Sequence, residues 1–344
     1  MLLRPGGDAA YLARVSIPAI VTAGDGPASK TVLGENKVYL EIGGLPLVVR
    51  VVQVLQRVPE VSEVWVVGNE ARLRALFARR EVRSQIHKPL HIVQQFRNLY
   101  ENAWQTYRRL LPGAGPEGRD PVGSEIDEPV LYLSGDLPFA TPQEISDFIT
   151  RGLALGCDYA VGLVPAEAMA DFLPGRAGEP GVRVAYFNMR EGRFRQSNLH
   201  LAKPARITNR YYVEEMYELR YQKEFGNIAK LAWTILRSEQ GGLRILVLYL
   251  LVHLAGVFNR RGFRSLADKL RKYVSLERVE ACISTLLRTD YRFVITEAGG
   301  CALDIDNQRE YEASAARFRE WTEAQTVRAE QLYGPPQLAP GKVE

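Results

Sequence analysis

The sequence predicts an α/β protein: a Rossmann-like three-layer α/β/α arrangement on a mostly parallel mixed sheet, with a helical insertion late in the chain. Three observations carry this. From 17 to 165, short apolar runs alternate with amphipathic stretches of helical spacing. The four runs up to 136 are apolar throughout, as strands covered on both faces are. Between 208 and 287 the pattern becomes almost entirely helical.

The elements are taken in chain order. IPAIVT (17–22) reads as a buried strand, and PLVVRVVQVLQRV (46–58) as a helix with Pro46 at its first position. SEVWVVG (62–68) is the second strand, followed by a helix over 69–80 capped by Asn69. LHIVQQ (90–95) is the third strand. The helix over 98–111 puts Leu99, Ala103, Tyr107 and Leu110 on one face. Residues 112–128, rich in Gly, Pro and acids, form a surface loop. PVLYLSGD (129–136) is the fourth strand. In the helix over 141–155, Thr141 caps, Pro142 takes the first position and Glu144 the third, as in a capping box. CDYAVGLVP (157–165) is the fifth strand. VRVAYFNMREGRFRQSNL (182–199) reads as a hairpin turning at 190–192. After the helical region, 291–306 returns to strand, 308–325 forms a final helix, and the Pro-rich end is expected to be disordered. The domain reading is therefore 1–207 with 289–331 as one unit, 208–288 as an insertion, and 332–344 as a tail.

Composition narrows the class. The 344 residues are 46% hydrophobic and 24% charged, with net charge +4, too weak a basic balance to argue for nucleic acid. Cys157, Cys282 and Cys301 are odd in number, far apart and match no zinc spacing, which points to free thiols and a cytoplasmic location. No signal peptide is expected, because no apolar run precedes Ile17.

GDGPASKT (24–31) departs from a P-loop by one residue, Ser29 for glycine. A P-loop opens a helix at once, yet Gly34 interrupts the segment after Thr31, and Pro27 removes an amide from the cradle. The dinucleotide fingerprint fails at Ser29 as well. A third pattern fits more positions: AIVTAGDG, then NK, then VYLEIGGLPLVVRVV, with LYLSGDLPFATPQEI and CALDIDNQREYEA later. In that order the three segments resemble the nucleotidyltransferases of the glycosyltransferase-A type, especially the molybdenum-cofactor guanylyltransferase-like NTP transferases. The resemblance covers about 1–190 and 290–315.

It implies a Mg²⁺-dependent transfer of a nucleotidyl group from an NTP to a phosphorylated acceptor, with release of pyrophosphate. Amides around Ala23, Gly24, Asp25 and Gly26 would cradle the triphosphate. Lys37 would hold the α-phosphate; its alternative is a solvated surface lysine. Asp136 ends an apolar strand where open α/β sheets place ligands, and would hold the metal, with Ser134 beside it as a nucleotide contact; the alternative for Asp136 is a turn or capping aspartate. The DID segment is read as turning its aspartates to opposite sides, so that one faces the metal, Asp306 rather than Asp304. Departures from the family pattern are Ala28 in place of arginine, which leaves Lys30 as the triphosphate contact, and Asn36 rather than proline before Lys37. QQFRNLYENAW fills the base-reading place and makes Asn98 and Asn102 candidates. The base stays open, with CTP or GTP favoured.

On the acceptor side, RQSNLHLAKPARITNR offers Asn198, Lys203 and Arg206 to a phosphate, with an ordinary basic loop as the alternative. Within the insertion, 243–258 is strongly apolar but interrupted by His253 and too short to span a bilayer. Arg260, Arg261, Arg264, Lys269, Arg271 and Lys272 come next. The segment reads either as a core or dimer helix or as an interfacial helix on anionic lipid. The acceptor is accordingly a phosphorylated small molecule or lipid precursor. Other readings are a glycosyltransferase of the same fold, against which the late position of DID argues, and a non-catalytic nucleotide-binding relative.

Overall fold

In the computed structural model β1 (Ile17–Ala23) lies inside an eight-stranded sheet. The structure describes residues 16–26, 31–175, 178–209, 247, 250, 251, 254, 257, 258 and 261–336. β2 (Val61–Gly68) and β3 (Leu90–Gln94) extend the sheet on one side of β1, all parallel. β4 (Val130–Ser134) lies parallel on the other side. β5 (Tyr159–Pro165) leaves a place beside β4 that a later strand fills. That strand is reached through the short β6 (Phe187–Met189) and a tight turn. It is β7 (Gly192–Ala202), antiparallel to both β4 and β5. β8 (Tyr291–Ile295) closes the edge parallel to β5, giving the order β8-β5-β7-β4-β1-β2-β3. The expected mixed, mostly parallel sheet is thus the observed one.

Among the described residues the helices of eight residues or more are α1 (Leu47–Gln56), α2 (Glu70–Phe77), α3 (Leu99–Leu110), α4 (Pro142–Leu155), α5 (Arg264–Arg271), α6 (Leu276–Leu287), α7 (Gln308–Ala316) and α8 (Phe318–Tyr333). Strand alternation divides the core into two layers. Ala19, Val21, Val64, Val66, Leu131 and Leu133 face Val48, Val52 and Leu55 of α1 and Ile145 and Phe148 of α4. Ile20, Val67 and Val130 face the other way, onto Tyr107 of α3. Farther along that face, Leu276 and Val279 of α6 pack on Leu163, Phe194 and Val274. The C-terminal part of the predicted insertion therefore covers the sheet.

Several boundaries differ from the expectation. The strand read over 291–306 ends at Ile295, because Gly299 and Gly300 form a turn there. Gly299 has φ +98, and a Cβ on Gly300 would lie 2.0 Å from the Phe139 carbonyl oxygen, so only glycine allows the turn to seat against the segment after β4. The single final helix is two helices, broken at Arg317 (φ −107, ψ 21). The break lets Trp321 enter a fully buried pocket, its ring 5.4 Å from Phe139 and 5.2 Å from Phe172. The 112–128 loop is tied down: Tyr107 donates its hydroxyl to the Glu125 carbonyl, and Arg119 pairs with the Glu125 carboxylate. Most of 208–260, including His253 and Arg260, and the tail from 337 lie outside the described residues.

Candidate active site

The glycine loop leaves β1 at Ala23 and runs beside β3. Asp25 donates its amide to Gln95 Oε1 at 2.7 Å, and Gln95 Nε2 donates back to Asp25 Oδ1 at 2.8 Å. Arg72 lies 3.6 Å from Asp25 and 3.0 Å from Glu35, with its guanidinium 3.8 Å over the Tyr39 ring. Residues 27–30, which include Ala28 and Lys30, lie outside the described residues. A two-residue ribbon comes after them, Thr31–Val32 against Glu35–Asn36, turning through Leu33 (φ 54) and Gly34 (φ 79). Two consecutive positive φ values are the mark of a tight hairpin turn. This ribbon stands where a P-loop would open its helix, which rules out the P-loop reading.

Asn36 joins that loop to the lysine. Its Nδ2 donates to the Gly24 carbonyl at 3.2 Å, and its Oδ1 accepts the Val38 amide at 3.1 Å, capping the turn Lys37–Tyr39. Lys37 is thereby aimed across the end of β4. Its Nζ lies 2.5 Å from Asp136 Oδ2 and 3.0 Å from Asp306 Oδ1. Asp136 is fully buried, and the Ser134 hydroxyl donates to its Oδ1. Gly135 donates its amide to Thr22 O at 2.9 Å, which fixes the SGD turn against β1.

The expectation that DID sends its aspartates to opposite sides is corrected. Residues two apart in extended chain share a face. Ile305 between them turns away, fully buried against Ile42 and Leu47, and both carboxylates face the cleft. Asp306 meets Lys37, and Asp304 accepts from Arg195 Nη2 at 2.8 Å. Arg195 also donates Nε to the Ala302 carbonyl at 2.6 Å.

Charge coupling ties the groups together. Burial, the largest single influence on Lys37, acts to lower its pKa; Asp136, Asp306 and Asp304 together outweigh it and hold the ammonium above its ordinary value. For Asp304, burial first and then the Asp136 and Asp306 charges push the pKa up, against the pull of Arg195 and Lys37. Among the described residues the three carboxylates face two cations, Lys37 and Arg195.

The chemistry of the donors fits Mg²⁺. Asp136 Oδ2 is a buried acceptor with no well-directed hydrogen bond, although the Lys37 ammonium stands beside it. Among the described residues no three His, Cys, Asp or Glu side chains converge into a metal cage. Mg²⁺ needs no such cage; it takes one or two carboxylates and completes its octahedron with water and phosphate. Asp136 and Asp306 suit that role.

The remaining expected residues make their described contacts outside the Lys37 cluster. Asn98 caps α3, accepting the Glu101 amide at 2.8 Å, and Asn102 accepts the Phe96 amide at 2.6 Å. Both side-chain oxygens thus shape the loop before α3. Asn198 sits in the irregular stretch of β7 between Gln196 and His200. Lys203 and Arg206 are not brought to the cluster. β7 runs antiparallel to β4, with Ala202 opposite Val130, so the two lie at the far end of the sheet. Lys203 is 3.5 Å from Asp158, and Arg206 pairs with Asp127 at 2.7 Å.

One residue escaped the sequence reading, and the role of another differs from it. Arg195 stands in the cleft with no motif to mark it. Glu144 does not close a capping box. The Thr141 hydroxyl accepts its amide at 3.4 Å, but its buried carboxylate accepts from Thr296 Oγ1 (2.9 Å), Gly299 N (3.3 Å) and Cys301 N (3.1 Å). It thereby pins the turn from which Asp304 and Asp306 extend. Its fully buried apolar setting raises its pKa, against those hydrogen bonds.

Residues 19–222, more than half of the chain, match the family model of the MobA-like NTP transferase domain. The chain belongs to this family. A curated relative, the 2-C-methyl-D-erythritol 4-phosphate cytidylyltransferase of Chlorobium luteolum, is 24% identical over 143 residues, 41% of this chain and 56% of that protein. The match thus spans about half the length of that relative. Among solved structures, a hypothetical transferase from Thermus thermophilus superposes with a TM-score of 0.53 at 20% identity, over 86% of this chain and 99% of the other. That likeness concerns the fold. The NTP transferase match begins two residues into β1 and takes in the glycine loop, Lys37, Asp136 and β7. β8 and the segment carrying Asp304 and Asp306 lie beyond it.

Proposed function

We propose that the protein is a Mg²⁺-dependent nucleotidyltransferase that joins the NMP part of an NTP to a phosphorylated acceptor and releases pyrophosphate. The observation that carries this is the convergence of Lys37 with Asp136 and Asp306 beside the glycine loop. Nucleotidyl transfer is an in-line attack by an acceptor oxyanion on the α-phosphorus. Both reactants are anions, so the work is positioning and charge neutralisation. The amides of 23–26 would receive the triphosphate. Lys37 would move from Asp306 to the α-phosphate and stabilise the charge that grows there. Ser134 holds the Asp136 carboxylate in one orientation. Magnesium on Asp136 and Asp306, when bound, would offset phosphate charge. The NTP transferase match favours nucleotidyl over glycosyl transfer. The cytidylyltransferase relative supports CTP, with GTP next.

The acceptor in this reading is a phosphorylated small molecule or lipid precursor. Among the described residues no helix is long and apolar enough to cross a membrane. Val247, Leu250 and Leu254 are nonetheless exposed, as are Phe263 and Leu266. This supports peripheral contact of 243–272 with the cytoplasmic face of a membrane, with a homodimer interface as the competing use of the same segment. The test is a pyrophosphate-release screen of four NTPs against phosphorylated sugars, polyols and lipid precursors, with and without EDTA. Magnesium-dependent release with one NTP and one acceptor class is expected. No release with any pair, or release that EDTA leaves unchanged, would contradict the proposal.

A further inference from the structure

We infer that Arg195, with Arg193 and Tyr186 beside it, forms the subsite for the acceptor, and that this subsite selects acceptors ending in a phosphomonoester. The inference rests on the nucleotidyl-transfer reading and assigns its second substrate.

The geometry begins with strand parity. Arg193 and Arg195 are alternate residues of β7 and project from one face, while Phe194 between them is buried on the other. β6 pairs Phe187 with Phe194, so Tyr186, one residue before, comes beside the arginines. The Arg193 guanidinium lies 4.6 Å over the Tyr186 ring. Burial acts first to raise the Tyr186 pKa, and both guanidinium charges act to lower it, which places the three groups together.

Position in the cluster assigns the role. Arg195 holds Asp304 with Nη2 and the Ala302 carbonyl with Nε, which leaves Nη1 without a described partner. Asp304 and Asp306 are alternate residues of one extended segment, and Asp306 meets Lys37, which also meets Asp136. Two cations therefore stand at one row of carboxylates: Lys37 on the side of the glycine loop, Arg195 on the side of the β6–β7 hairpin. Two anionic reactants must meet between them. A guanidinium with a fixed planar fork suits a terminal phosphate better than a point charge does. Tyr186 would cover the acceptor body. In the step itself a phosphate oxygen of the acceptor forms a bond to the α-phosphorus, the bond from that phosphorus to the bridging oxygen breaks, and pyrophosphate leaves with the electron pair. An acceptor with no terminal anion gives Arg195 nothing to hold.

The test uses the full chain with Mg·CTP or Mg·GTP, whichever the wild type binds, and inorganic phosphate as the acceptor-site probe. Calorimetry measures nucleotide affinity alone, then phosphate affinity on the nucleotide-saturated protein, for wild type, Arg195→Gln and Arg195→Lys. The wild type is expected to bind phosphate saturably. Arg195→Gln should lose about tenfold to a hundredfold in phosphate affinity, as expected for a lost charged hydrogen bond, with nucleotide affinity unchanged. Arg195→Lys should fall between, since it keeps the charge but not the fork. Equal phosphate affinity in all three proteins would overturn the inference, as would a wild type that takes up no phosphate. So would a loss confined to nucleotide affinity, which would make Arg195 only a support for Asp304. A wild type that binds neither nucleotide would instead count against the nucleotidyl-transfer reading itself.

Discussion

The nucleotide side and the acceptor side of the cleft are built by different means. On the nucleotide side, the glycine loop and Asp136 come from the ends of two adjacent parallel strands, β1 and β4, and Lys37 from the turn after the short ribbon that continues the glycine loop. Each is part of a short contiguous segment, and local hydrogen bonds such as Asn36 to Gly24 set its aim. On the acceptor side, Arg195 meets Asp304 across 109 residues, through an antiparallel strand and a turn held by Glu144. Parallel strand ends gather short motifs at one edge; an antiparallel strand delivers residues by register, which no motif shows.

Breaking the nucleotide side should have the largest effect. Lys37→Ala is expected to lower pyrophosphate release by about a hundredfold to a thousandfold, as for loss of one transition-state donor. The fold will also register the change, because Asp136 is left as a buried carboxylate without its cation. Thermal melting in EDTA should fall, on the order of 3 kcal/mol, and Mg²⁺ should restore part of it. A variant as stable as wild type and as active would separate Lys37 from the site.

The acceptor side is next, through its support. Glu144→Ala removes the acceptor of three buried donors and should destabilise by on the order of 3 kcal/mol, read by urea unfolding. Glu144→Gln keeps an acceptor oxygen and should cost less. If both variants unfold at the wild-type midpoint, Glu144 does not hold the turn before Asp304.

A smaller effect is expected where the two sides share a device. Asn36→Ala loses the cap on Lys37 and the tie to Gly24, worth about 1 kcal/mol, and should weaken nucleotide affinity several-fold with the melting curve nearly unmoved. Unchanged nucleotide affinity would show that Asn36 does not aim the lysine. The smallest effect belongs to Lys203→Ala and Arg206→Ala. Both lie at the far end of β7, and activity should stay within about twofold of wild type, as for surface positions. A large loss in either would restore them to the acceptor site.

This contrast also explains what the sequence revealed. The sheet was legible because buried parallel strands are apolar throughout, and Lys37 and Asp136 because each sits in a short contiguous motif, one following the glycine loop and the other a strand end. Asp304 was misjudged on parity: residues two apart share a face, and Ile305 is the one that turns inward. Lys203 and Arg206 were chosen for local basic density. An extended chain covers about 25 Å between 195 and 203, enough to carry them from one end of the sheet to the other. Arg195 had one available signal, the alternation of Arg193 and Arg195 around Phe194, which marks a basic strand face. Glu144 gave none, since its partners lie more than 150 residues away.

The most direct measurement is a crystal structure with Mg²⁺ and a non-hydrolysable analogue of the NTP selected by the release screen. The account predicts the triphosphate over 23–26, Lys37 Nζ withdrawn from Asp306 to hydrogen-bond distance of the α-phosphate, and the metal on Asp136. A triphosphate bound elsewhere, with Lys37 still held between Asp136 and Asp306, would contradict it.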